Sequence, residues 1–130
     1  MILVTGAGGQ LGRLVAQELA GRTDPAKVVL GTRDPAKIAD LAAKGFRTAA
    51  VAFDKPATLS SAFSGVDTLL IISADGPNGP RLEQHKRAID AAKAAGVGRI
   101  AYTSVINPTH ESLFDFAASH GDTEAYIRAS

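Results

Sequence analysis

Apolar residues along this chain switch between two spacings. A short β-rich run at Ile2–Val4 ends in a glycine cluster, and Leu11, Leu14, Val15 and Leu19 then recur at helical spacing until Gly21. Val28–Gly31 reads as a second strand. Asp34-Pro35 opens the next helix, with Asp as N-cap and Pro in the first turn; Ile38, Leu41 and Ala42 form its apolar face, and Gly45 stops it. Thr48–Phe53 predicts a weaker third strand, and Ala57–Phe63 a short helix that sets Leu59 and Phe63 on one side. Val66–Ser73 is the most apolar stretch, nearly continuous, as a strand buried on both faces requires. Asp75–Pro80 is a loop rich in Gly and Pro. Arg81–Ala95 predicts a long helix with Leu82, Ile89 and Ala92 on one face and Gly96 as its C-cap. Arg99–Val105 is the fifth strand, and Asn107–Ser130 a loop followed by a last helix.

Such regular β-α alternation predicts a parallel sheet with helices on both faces. The expected architecture is one Rossmann-like, doubly wound α/β domain over residues 1–130, about five strands in order 3-2-1-4-5. No low-complexity segment or internal boundary interrupts it. Asp-Pro-Ala-Lys occurs at 24–27 and 34–37; one copy precedes a strand and the other opens a helix, so the repeat reads as coincidence.

Composition narrows the chemistry. Of the 130 residues, 45% are hydrophobic and 21% charged, which excludes a disordered or fibrous chain. A net charge of +1 offers no basic field for nucleic acid. Cysteine is absent, which removes thiol catalysis and Cys-ligated metals, and His85, His110 and His120 are too far apart in sequence for a local metal motif. The N-terminus lacks the basic region of a signal peptide, and no apolar run approaches the roughly 20 residues of a membrane span, so a cytoplasmic protein without a membrane partner is expected. Charge is uneven: residues 1–106 carry thirteen basic and nine acidic side chains, residues 107–130 one and four. The basic portion also holds the glycine loop, which suits an anionic ligand, although random scatter produces the same asymmetry.

That loop is Thr5-Gly6-Ala7-Gly8-Gly9-Gln10-Leu11-Gly12. It contains Gly-x-x-Gly-x-x-Gly at 6, 9 and 12 and Gly-x-Gly-x-x-x-Gly at 6, 8 and 12; the strict Gly-x-Gly-x-x-Gly is missing because residue 11 is Leu. Each version meets the same demands: a tight turn, close backbone approach to a pyrophosphate, and a helix packed hard on a strand. The helix N-terminus then offers free N–H groups to phosphate. A dinucleotide site is expected at Thr5, Gly6, Gly8, Gly9, Gln10, Leu11 and Gly12.

Arg33 lies at the end of the second strand, 21 residues past Gly12, where a ribose-recognising residue belongs. A guanidinium there suits a 2′-phosphate. Asp34 competes for a free 2′-hydroxyl, but the Pro that follows assigns it to helix capping. NADPH is therefore favoured, with NADH the alternative. Asp54, after the third strand, is a candidate for the adenine amine or a solvated loop carboxylate. Ser73 and Ala74 after the fourth strand, and Thr103 and Ser104 after the fifth, end on the same sheet edge as the glycine loop and are candidate cofactor contacts.

Five stretches carry a family resemblance: 5–12, Thr-Arg-Asp-Pro-Ala-Lys at 32–37, Ala-Ala-Lys-Ala-Ala-Gly-Val at 91–97, Ile-Ala-Tyr-Thr-Ser at 100–104, and His-Gly-Asp-Thr-Glu at 120–124. With these the chain resembles the N-terminal part of an atypical short-chain dehydrogenase/reductase, of the NmrA-like and type 2 NAD(P)H:quinone oxidoreductase kind. The resemblance implies NADPH held at 6–12 and Arg33 and two-electron transfer to a small quinone-like acceptor. It also implies that the chain is about half the usual length and stops before the region that covers the substrate, leaving a sheet edge free for homodimer formation. Two other readings stay open: a non-catalytic redox sensor that reports the dinucleotide to a protein partner, and an incomplete dinucleotide-binding fragment.

The Tyr-x-x-x-Lys motif of the wider superfamily is missing, since Ser130 stands four after Tyr126. His120-x-x-x-Glu124 takes its place, which makes His120 the candidate proton donor, against the plainer reading of a surface helix pair. His85 reads as a packed, hydrogen-bonded histidine, and His110 has no role. Arg13 is a solvated helix charge or an auxiliary phosphate ligand; Arg81, Lys86, Arg87 and Lys93 read as a solvated face. Phe114 and Phe116 belong to the core or to an acceptor pocket.

Overall fold

The computed structural model describes residues 1–130. Five strands, β1 (Ile2–Val4), β2 (Val28–Thr32), β3 (Arg47–Ala50), β4 (Thr68–Ile71) and β5 (Arg99–Tyr102), form one sheet in the order β3-β2-β1-β4-β5. Every pairing is parallel, as the expected doubly wound topology requires. The helices are α1 (Gln10–Ala20), α2 (Ala39–Ala42), α3 (Pro56–Phe63), α4 (Asn78–Ala94) and α5 (Ala117–Ala129). None is long and apolar enough to cross a membrane.

Alternation along the strands divides the core in two. Leu3, Val29, Leu69 and Ile71 face α3, α4 and α5, where they meet Leu59, Phe63, Ala88 and Ile89. Val4, Val28 and Leu30 face α1 and the segment after β2, where they meet Ala16, Ile38, Leu41 and Phe46. Burying a side chain such as Phe63 contributes about 2–3 kcal/mol.

Several boundaries and faces differ from the sequence reading. Strands β4 and β5 end earlier, at Ile71 and Tyr102, and β3 covers 47–50; past it, Val51 N–H still donates to Thr32, while Ala52 N–H donates to Thr58 Oγ1. Helix α4 begins at Asn78 within the expected loop; Pro80 is tolerated there because first-turn N–H groups need no helical acceptor. The helix expected from Asp34 is a 3₁₀ turn, Pro35–Ile38, followed by the single α turn of α2. Its two buried anchors, Ile38 and Leu41, are three apart, a spacing that 3₁₀ geometry eclipses. The two Asp-Pro-Ala-Lys copies share a local structure: Asp24 accepts from Ala26 N–H at 2.9 Å and Asp34 from Ala36 N–H at 3.1 Å, and each caps a 3₁₀ turn. On α1, Gly12 and Ala16 meet the sheet, while Leu11 and Leu14 are 46% and 61% exposed.

Candidate functional site

The carboxyl end of β1 runs into a turn fastened by its own backbone. Thr5 is fully buried; its N–H donates to the Leu70 carbonyl at 2.9 Å, and its hydroxyl accepts from Ile72 N–H at 3.0 Å. Gly6 takes φ +64°, a left-handed conformation that favours glycine. Ala7 N–H donates to Gly31 and Gly9 N–H to Gly6, at 3.0 and 3.1 Å. Helix α1 starts directly after Gly9 with no side chain capping it, so its first N–H groups and the positive end of its dipole face outward. A Cβ on Gly12 would overlap the Gly6 carbonyl and lie 2.6 Å from Ala7 Cα, so only glycine lets the helix sit this close to the turn. Unobstructed donors at a helix N-terminus are what a pyrophosphate needs, and this cradle fits one.

The turn forms the middle of a cleft of about 770 Å³ at the carboxyl ends of the strands. Thr5, Gly6 and the run Gly8–Gly12 line its centre. Arg33 and Asp54 line the end beside β2 and β3, together with Lys37 and Phe53. Ser73 and Ala74 line the end beside β4, with Gln84 reaching in from α4. Asp34 also borders the cleft, with one carboxylate oxygen engaged by Ala36 N–H. Lys37, Phe53 and Gln84 escaped the sequence reading. Lys37 follows Arg33 by four residues, a signal that needs the 3₁₀ turn to be interpreted; Gln84 gave none.

Thr103, Ser104 and His120 stand off the cleft lining. Thr103 braces it from behind: its hydroxyl accepts from Ser73 N–H at 2.8 Å and donates to Ser73 Oγ at 3.2 Å. Ser104 donates to Glu124 Oε1 at 2.5 Å, and Arg128 donates to the same carboxylate at 3.1 Å. His120 is buried between Tyr102 Oη, 2.6 Å from Nδ1, and Arg81 Nη1, 3.3 Å from Nε2. The four-residue step on α5 thus matches the two-residue step on β5, His120 to Tyr102 and Glu124 to Ser104. Burial, and then the Arg81 charge, hold the imidazole below its usual range, against a weaker pull from Glu124. Burial pushes the Tyr102 phenol up to about 12.

One basic residue, Arg81, is not where its surface reading puts it, and another, Arg13, is paired at the surface. Arg81 is buried, its Nε without a partner and its guanidinium 4.7 Å from the Phe116 ring centre, because the first turn of α4 packs under the start of α5. Phe116 is therefore a partly exposed lid on Arg81; it meets Phe114 edge-on at 5.7 Å, and neither ring enters the core. Arg13 is neither free nor on the phosphate site: it donates to Asp40 at 2.8 Å and to the Lys37 carbonyl at 2.9 Å, which ties α1 to the segment after β2. His85 is fully buried and hydrogen-bonded, as read. His110 pairs with Asp122 on the surface at 2.9 Å. No group of three His, Cys, Asp or Glu side chains is arranged to hold a metal.

Comparison with known proteins agrees with this geometry. Quinone oxidoreductase 2 of Escherichia coli (strain K12) is 41% identical over all 130 residues, which span 45% of that protein. The crystal structure of the Citrobacter sp. triphenylmethane reductase complexed with NADP(H) superposes with a TM-score of 0.95 at 37% identity, over 99% of this chain and 45% of that one. The Escherichia coli NADPH-dependent quinone oxidoreductase complexed with NADPH gives 0.92 at 40% identity, again over 99% and 45%. The chain thus spans a little under half the length of these relatives. Residues 6–130 match the family described as NAD(P)H-binding. That match covers all but the first five residues and includes the glycine turn from Gly6 onward, and the chain belongs to the NAD(P)H-binding family.

Proposed function

We propose that this chain holds NADPH in the cleft and serves an oxidoreductase that passes hydride to a quinone-like acceptor. The observation that carries the reading is the cleft itself, which sets two cations, Arg33 and Lys37, at one end of a pyrophosphate cradle and Ser73-Ala74 at the other. The first N–H groups of α1 hold the pyrophosphate. Arg33 and Lys37 flank the adenosine 2′-phosphate, which NADH lacks, and Asp54 accepts from the adenine amine. Ser73, fixed by Thr103, and Ala74 border the nicotinamide. Ser104, Glu124 and His120 stand behind this end, off the cleft lining. The cofactor supplies hydride transfer: quinone, NADPH and one proton give hydroquinone and NADP⁺. The names of the relatives, quinone oxidoreductase and triphenylmethane reductase, support a conjugated electrophilic acceptor.

The test is loss of NADPH absorbance with purified protein, with and without a benzoquinone, beside titrations of NADPH and NADH. Quinone-dependent oxidation with tighter binding of NADPH supports the proposal; binding without turnover overturns the enzymatic part. That second outcome leaves two readings, a redox sensor and an incomplete dinucleotide-binding fragment; both accommodate a His120 that is enclosed by Arg81 and Tyr102 and does not line the cleft.

A further inference from the structure

His85 is fully buried behind the cleft and is used by none of the roles above. Its Nε2 accepts from Ala74 N–H at 2.9 Å. Nε2 therefore carries no proton, and Nδ1 does. Nδ1–H donates to Thr123 Oγ1 at 2.9 Å, and the Thr123 hydroxyl donates to the Ser119 carbonyl at 2.7 Å. The relay runs in one direction with one tautomer, from the end of β4 through α4 to α5. Phe53 and Tyr102 hold the ring edge-on, with centres 6.3 and 5.3 Å away. Ala74 lines the cleft at its β4 end, so the imidazole braces that wall from behind.

The cleft has two unlike ends. With a pyrophosphate at the α1 N-terminus, the phosphorylated ribose falls beside Arg33 and Lys37, and the nicotinamide half falls beside Ser73–Asp75 and Gln84. We infer that His85 is a positioning residue for the nicotinamide half of the dinucleotide, holding the Ala74 N–H on an imidazole anchored to α5 and so linking occupancy of that half to the seating of α5. The inference rests on the proposed placement of the dinucleotide in the cleft.

A plain packing role does not account for the relay. An apolar ring would fill the same volume but leave the Ala74 N–H without an acceptor and free the turn that follows β4. Burial, with the nearby His120 and Arg81 charges, depresses the pKa of His85 to about 4, so the acceptor lone pair persists through neutral pH. The link is reciprocal: whatever loosens α5 weakens the nicotinamide half, and a bound dinucleotide steadies α5.

The two amide variants separate the ends of the imidazole. His85→Gln keeps an acceptor near Nε2 for Ala74; His85→Asn keeps a donor near Nδ1 for Thr123 and loses that acceptor. The probes are NADPH, which fills both halves of the cleft, and 2′,5′-ADP, which fills only the adenosine half, titrated by calorimetry with melting temperatures recorded in parallel. His85→Asn is expected to weaken NADPH about tenfold while 2′,5′-ADP stays within about twofold, and His85→Gln to return NADPH to within about threefold. Thr123→Val, which removes the anchor without touching the wall, is expected to weaken NADPH alone by about threefold and serves if His85→Asn does not fold. Equal weakening of both probes, or of neither, overturns the role of His85 while leaving the dinucleotide placement intact. Failure of the unmutated protein to bind either probe overturns the placement and the role together.

Discussion

His120 and Tyr102 meet across the gap between α5 and β5, with imidazole Nδ1 2.6 Å from the phenol oxygen. Arg81 occupies the other ring nitrogen, so both are engaged inside the protein rather than in the cleft. His120→Ala is therefore expected to leave at least partial quinone reduction. It is also expected to lower the unfolding free energy by about 1–3 kcal/mol, because the buried Arg81 guanidinium loses the imidazole it donates to. Denaturant unfolding and NADPH oxidation check the two halves. Complete loss of turnover with NADPH affinity unchanged would put His120 in the chemistry.

Arg33 is exposed at the cleft's β2 end, and Lys37 is its neighbour there. Arg33→Ala is expected to weaken NADPH roughly 10–100-fold, the loss of charge-assisted hydrogen bonds to a phosphate, and NADH far less. Lys37→Ala follows the same pattern with a smaller loss, since an ammonium acts as a point charge without the bidentate fork. Binding titrations with both dinucleotides decide this; an equal loss for the two would remove the 2′-phosphate from Arg33.

Arg13 follows the glycine turn closely enough in sequence to resemble a phosphate ligand, yet its guanidinium is committed to Asp40 and the Lys37 carbonyl. Its hydrogen bond holds the Asp40 carboxyl below the usual carboxylate range. Arg13→Ala is expected to change NADPH affinity by no more than about threefold, the effect of losing an exposed ion pair beside the site. A loss as large as that from Arg33→Ala, measured in the same titration, would contradict this arrangement.

Acid weakens the fold through its buried histidines. His85 and His120 both titrate lower in the folded chain than in the unfolded one, burial being the main cause, so the unfolded state binds more protons between the two values. Their contribution is complete above the ordinary histidine value of 6.5 and is lost as pH falls toward about 4, where His85 protonates in place. For His85 alone this amounts to roughly 2–3 kcal/mol. The surface His110, raised by its hydrogen bond to Asp122, works in the opposite direction but is fully exposed and screened. Unfolding free energies measured from pH 7 down to pH 4 are expected to fall, and His85→Gln is expected to flatten the slope; an unchanged slope in that variant would assign the acid sensitivity elsewhere.

The elements and the glycine turn were legible because both are written in local pattern, residue spacing for the elements and glycine positions for the turn; the strand order followed from the doubly wound topology that regular β-α alternation implies. Faces decided by backbone approach were not. Leu11 and Leu14 have the spacing of a buried stripe, but the contact between Gly12 and the Gly6 carbonyl rotates Gly12 and Ala16 toward the sheet instead. Arg81 and His120 are 39 residues apart, and a cation on a long helix gives no sign that the start of another helix will cover it. Tyr102 was visible only as part of a matching stretch; its partnership with His120 depends on α5 lying against β5. Lys37 belongs to the cleft because a turn tighter than α brings it there, a distinction that the Asp-Pro start does not make.

The turn from Thr5 to Gly9 is tied to β4 through Leu70 and Ile72 and to β2 through Gly31. It is thus a finished cradle, built from the same bonds that register the sheet. A dinucleotide meeting it finds the turn at the pyrophosphate already ordered. Association of the pyrophosphate with this turn is expected to be a single bimolecular event, its observed rate climbing in proportion to ligand concentration without a plateau.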